Sequence, residues 1–107
     1  MVEAELYIND EPVGQVLVLQ VGPSWSHGTF HPDQAFSRFA PLFGRWSLLM
    51  HAGGLYERLS KATGDCLREA EFEIDHLHAK MHMLKRNEWM TCSQLNIDGP
   101  IIEWKSL

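Results

Sequence analysis

The chain has no long apolar run, no basic cluster, few cysteines and no glycine-rich phosphate loop. Its longest apolar stretch, VLVLQV at 16–21, is strand-sized and interrupted by Gln20. That falls far short of the ~20 residues that cross a bilayer as a helix. The N-terminal MVEAELYI is acidic where a secretory leader would be basic, so a cytoplasmic location is expected. Nine basic residues stand against fourteen acidic ones, a net charge of −5. This disfavours nucleic acid as a partner, because phosphate readers carry a basic face. Cys66 and Cys92 are distant and outside Cys-x-x-Cys spacing, which argues against a disulfide framework or a zinc knuckle. They read as two partly buried, reduced thiols. No serine sits in a Gly-x-Ser-x-Gly elbow, and no cofactor is indicated.

What remains is an apolar fraction of 45% in 107 residues, enough for one modest core and a single domain over 1–107. ELYI (5–8) and QVLVLQV (15–21) are β-rich runs joined by the turn formers of NDEPVG, and both faces of the second are apolar, as in a central strand. SWSHGTF (24–30) predicts a third strand with Trp25, His27 and Thr29 on one face and Ser26, Gly28 and Phe30 on the other. Pro32-Asp33 then signals a helix start, and Phe36, Phe39, Phe43, Trp46, Leu49 and Met50 recur at helical spacing. Pro41 predicts a break near residue 40, with a second piece opening at the proline and ending at Gly53-Gly54. A further helix is expected over 55–76 from Leu55, Leu59, Ala62, Cys66, Ala70 and Ile74.

From Leu77 the pattern alternates: Leu77, Ala79, Met81 and Met83 against His78, Lys80 and His82, a half-buried strand. WMTCSQLNI predicts another, Asp98-Gly99 a two-residue turn, and IIEWK a closing edge strand. Strands, helices, then strands imply an α+β fold. The expected form is an antiparallel sheet of about six strands, two or three N-terminal and three C-terminal, with two or three helices packed on one face.

Three features bear on chemistry. Trp25, His27 and His31 form the most site-like group, since an indole beside imidazoles can stack a planar ligand and hydrogen-bond it. The plainer alternative packs Trp25 beneath the helices. His76, His78 and His82 could hold a metal if they shared a face, yet Lys80 would stand among them and no third strong ligand has clear spacing. A polar strand face in solvent is the preferred account. Lastly, four Trp and five Phe in so short a chain leave room for an exposed aromatic strip.

Ser24, Trp25, Gly28, Phe30 and Pro32, followed by Phe36, Pro41, Leu42 and Phe43, and then Ile97, Asp98 and Gly99, give the chain a further likeness. It resembles a family of short uncharacterised bacterial proteins with a Ser-Trp-x-x-Gly-x-Phe-x-Pro strand, a Phe-x-x-x-x-Pro-Leu-Phe helix and a C-terminal Ile-Asp-Gly hairpin. Ser26 and Asn96 depart from that pattern, which has Trp and His there. The resemblance implies an α+β fold and a bacterial source, and no activity.

The leading functional expectation is a small cytoplasmic binding or protein-interaction domain without its own catalysis. It would use the Trp25/His27/His31 region or an aromatic strip to engage a protein partner, or a second copy by strand addition along IIEWK. The alternative is a small-molecule-binding protein or enzyme with a Trp25/His27 pocket, and the third reading is metal binding through His76, His78 and His82.

Overall fold

The computed structural model describes residues 2–55 and 61–106. Strands β1 (Val2–Ile8) and β2 (Glu11–Val21) are joined through Asn9 and Asp10. Both joining residues have positive φ, 51° and 67°. Hairpins with right-handed twist favour such backbones, and Asn and Asp tolerate them. After β3 (Ser26–Pro32), Asp33 Oδ1 accepts the Ala35 N–H at 2.9 Å and so caps a short 3-10 helix, Gln34–Arg38. Helix α1 (Ala40–Leu55) follows with Pro41 in its first turn, where the missing N–H costs nothing, so the expected break is present. It runs through Gly53-Gly54 to Leu55. Helix α2 covers Lys61–Asp75; the part of the expected second helix around Leu59 lies outside the described residues.

Strands β4 (Ala79–Met83), β5 (Glu88–Asp98) and β6 (Ile101–Ser106) complete the chain. The last turn is Gly99-Pro100, one residue later than expected, with Gly99 at φ 59°. The fold is α+β with six antiparallel strands and two helices, but the sheet closes into a barrel in the order β1-β2-β3-β6-β5-β4. The seam is β1 against β4, from Ala4↔Met83 to Ile8↔Ala79. Closure corrects two expectations. There is no open sheet with helices on one face, and IIEWK is not an edge, because β6 pairs with β3 and with β5. Alternating apolar residues are equally suited to a covered sheet and to a barrel interior. Their spacing says which face is buried but not which strands are neighbours.

Inward residues fill the barrel: Leu6 and Ile8, Val16 and Val18, Phe30, Met81, Leu95 and Ile97, Ile102 and Trp104 are all buried. The Trp104 indole N–H donates to Met90 Sδ at 3.2 Å, so the largest interior side chain keeps a partner for its one donor. Phe36 meets Phe30 edge-on at 4.9 Å and stacks with Phe43 at 5.8 Å, which joins the helical segment to the barrel core. The helices pack on each other and on β5, while the 3-10 helix rests on β2, held there by an Arg38–Glu11 ion pair at 2.9 Å. Inward-facing Gly14 and Gly28 allow β2 and β3 to close tightly. A Cβ on Gly14 would lie 2.5 Å from the His31 carbonyl oxygen, and one on Gly28 would lie under 3.0 Å from that of Leu17. Three register shifts, near Leu6/Tyr7, Val18/Gln20 and Ser93/Asn96, supply the bends that a small barrel needs.

Candidate functional site

Trp25 stands immediately before β3. Pairing of Ser26 with Trp104 places Lys105 beside it, and the Lys105 ammonium lies 5.0 Å from the Trp25 ring centroid. The indole is 39% exposed and lies outside the core cluster. It forms one wall of a cleft of about 300 Å³. Opposite stand Trp46 and Met50, four apart and therefore on one face of α1, with Glu71, Ile74 and Asp75 on one face of α2. Gln94 and Asn96 of β5 complete the lining.

Gln94 takes φ 50° within the register shift of β5. That backbone is uncommon for a side-chain-bearing residue and recurs where a bulge re-aims a side chain at a site. Beyond Gln94 the hollow continues as a second space of about 460 Å³, which shares Ile74, Asp75 and Gln94 and reaches His78, Lys80 and Cys92. The two hollows thus lie side by side along the seam between α2 and the barrel wall. Among the described residues, the side chains of Glu71, Asp75, Gln94 and Asn96 make no hydrogen bond or ion pair with the rest of the chain.

The other sequence-picked residues are dispersed. His27 is exposed on the outer barrel face opposite Gln20 and Glu103, and it does not line the Trp25 cleft. His31, expected at a helix entrance, lies in β3 and lines a separate hollow with Glu3, Gln15 and Leu84. Of the three residues grouped from the sequence, only Trp25 belongs to the cleft. His76 directly follows α2, its Nδ1 2.8 Å from the Phe72 carbonyl oxygen and its ring against that of Phe72. His78 takes the Asn9 side chain on its backbone N–H. His82 stacks on Trp89 at 4.4 Å and pairs with Asn87 at 2.8 Å, while Lys80 pairs with Asp10 at 3.0 Å. Among the described residues, no three His, Cys, Asp or Glu side chains converge on a metal position. Tyr7, packed edge-on to Trp89, extends this group into an exposed aromatic strip on the outer barrel.

One polar cluster escaped sequence reading. The Ser47 hydroxyl donates to Asp98 Oδ1 at 2.7 Å, and His51 Nε2 pairs with Asp98 Oδ2 at 2.9 Å. The Ser47 bond, then the His51 bond, hold the Asp98 carboxyl below its ordinary range. Ser47 and His51 sit four apart on α1, which is the only signal the sequence carried; that Asp98 meets them depends on where the β5–β6 hairpin lies. Because the serine proton goes to the carboxylate and not to the imidazole, this is a latch and not a nucleophile–base pair. Burial pushes the Cys92 thiol up to about 12, so it stays protonated and inert at neutral pH. Cys66, expected to be partly buried, is exposed on α2.

No family model, curated protein or solved structure matches the chain.

Proposed function

We propose that the chain is a non-catalytic binding domain that takes the group it recognises into the cleft between Trp25 and Trp46. The observation that carries this reading is the cleft itself: two indoles face four polar side chains that have no partners among the described residues. These polar groups face solvent or are half-buried, so they can exchange water for a ligand's donors and acceptors, and indoles supply apolar contact at small entropic cost. Catalysis is disfavoured because the buried Cys92 thiol stays protonated and Ser47 is committed to Asp98. Kinship with the short bacterial proteins and a cytoplasmic location belong to the same proposal. The Ser24–Pro32 motif supports the first, and the two free cysteines support the second. No helix among the described residues is long and apolar enough to cross a membrane.

The four indole N–H resonances of ¹⁵N-labelled protein test the reading directly. Small metabolites and short peptides are titrated in, and a true ligand moves the Trp25 and Trp46 signals. Trp25→Ala, a change outside the core cluster, removes that response while leaving a folded spectrum. Ligands whose shifts centre on Trp89 or on the Ser47–His51 latch would move the site elsewhere.

A protein partner, including a second copy, is a second reading with its own observation. Helix α1 is apolar around most of its circumference, and Leu48 and Phe72 stand 74% and 65% exposed on the helical pair. A helix of that kind is ordinarily covered. Sedimentation of the wild type against Leu48→Glu distinguishes an associating chain from a monomer.

A further inference from the structure

We infer that the Trp25–Trp46 cleft recognises an alkylammonium group, an assignment that rests on the binding reading above. Three independent features favour a cation. First, indole faces attract ammonium groups, and Trp25 already does so, with the chain's own Lys105 at 5.0 Å. Lys105 is not one of the cleft-lining residues, so this contact is made from outside the lining. Second, of the α2 carboxylates without a basic partner among the described residues, Glu71 and Asp75 border the cleft, while Glu69 lies elsewhere, beside Arg68 and Phe72. Glu73 pairs with Arg45 and Asp65 with Arg68. Two exposed, unpaired negative charges beside the cleft repel an anion and, at low ionic strength where screening is weak, favour a cation over a neutral molecule of the same shape. Third, the Gln94 and Asn96 amides can accept N–H bonds, and the Met50 thioether offers a soft wall to alkyl groups.

Among the described residues, Lys80 of the adjoining hollow is paired with Asp10 at 3.0 Å, which leaves Lys105 as the basic side chain placed to oppose an incoming cation. It is outnumbered by Glu71 and Asp75, so the local balance stays negative. A space of about 300 Å³ suits a head group or a single side chain and not a folded segment. The ammonium has two natural sources: a free small metabolite, or a lysine side chain presented by a partner.

The experiment titrates the labelled chain at low ionic strength with four probes. Choline and Nα-acetyl-lysine methylamide carry the charge, while 3,3-dimethylbutan-1-ol and Nα-acetyl-norleucine methylamide are their uncharged counterparts. Expected is movement of the Trp25 and Trp46 indole signals by the cations, with the neutral probes about tenfold weaker, the scale of a cation over an aromatic face. Stronger binding of choline points to a metabolite, and stronger binding of the lysine derivative to a partner side chain. The double substitution Glu71→Gln and Asp75→Asn should erase the preference for charge without changing the neutral probes. Neutral probes that bind as tightly as the cations would overturn the ammonium assignment and leave the binding cleft standing. Failure of all four to move Trp25 and Trp46 would also overturn it. Binding of the cations that persists unchanged in folded Trp25→Ala would overturn both readings.

Discussion

Barrel closure can be tested with one methyl group placed at two positions. Gly28 faces the interior from β3, opposite Val18. A Cβ there would lie under 3.0 Å from the Leu17 carbonyl oxygen, 3.1 Å from its carbonyl carbon and 3.2 Å from the Val18 Cα. All three are backbone atoms, so no rotamer can relieve the contact, and β2 must retreat by several tenths of an ångström. In an open sheet an end strand could drift. Here β2 is held by β1 on its other side and the ring is closed through β4, β5 and β6. Overpacking of this kind costs about 1–3 kcal/mol, and each ladder hydrogen bond stretched out of range adds about 1 kcal/mol. The backbone entropy that alanine saves returns only ~0.5–1 kcal/mol. Gly28→Ala should therefore lose about 2–4 kcal/mol, and at about 4–8 °C per kcal/mol its melting temperature should fall by roughly 8–32 °C. Gly44, on α1, has nothing within 4 Å of its added Cβ. There the same methyl group should stabilise by ~0.5–1 kcal/mol through helix propensity. Urea unfolding followed by far-ultraviolet circular dichroism gives both values from the shift in midpoint at constant slope. A Gly28→Ala protein as stable as the wild type would refute the closed interior described above. So would shifts of the same sign at both sites.

Ser26 is buried in the barrel with its hydroxyl unpartnered, so Ser26→Ala should raise stability by about 1 kcal/mol in the same assay. A loss on substitution would show that the hydroxyl has a partner after all. Asp98 has a lowered pKa in the fold, so its contribution is present above the unfolded value of ~3.9 and disappears as pH falls through the lower folded value. Below about pH 4 the wild type should therefore lose stability more steeply than Asp98→Asn, and parallel acid limbs would remove Asp98 from the latch. Native protein treated with iodoacetamide should be alkylated at exposed Cys66 and spared at Cys92, whose thiol is pushed up to about 12, until denaturant is added. Peptide mass mapping reads the order, and early modification of Cys92 would contradict its burial.

Much of the local structure was legible. Alternation fixed which side chains of 79–83 point inward, Pro41 marked the opening of α1, and Asp33 its short capped prelude. Each is a nearest-neighbour effect, written within a few residues of where it acts. Closure is not of that kind. It needs Ala4 to meet Met83 and Ser26 to meet Trp104, pairs with nothing in their local sequence to match them. Gly14 and Gly28 were the trace it left, since a glycine at an inward strand position signals close backbone approach without naming the approaching strand. The turn at Gly99-Pro100 was missed by one residue because Asp98 is also a good turn former, but its side chain is engaged by Ser47 and His51.

The candidate site divides along the same line. Trp25, His27 and His31 were grouped because they are close in sequence, and on one strand face in the case of the first two. That grouping assumed one flat surface looking toward one layer of helices. On a barrel, the outer face of β3 looks to solvent at His27 and His31, and the cleft touches only Trp25, the residue before the strand, which the pairing of Ser26 with Trp104 places beside Lys105. Trp25 lines the cleft, whereas His27 and His31 lie farther along β3 and outside it, His31 in a separate hollow. The partners Trp25 does acquire come from α1, α2 and β5, and three of these contributions follow local rules: Trp46 with Met50 and Glu71 with Asp75 at four-residue spacing, and Gln94 in a bulge. Helical spacing therefore marked Trp46 and Met50 as one face of α1, and only the pairing of β3 with β6 and of β6 with β5 set Trp25 beside that face.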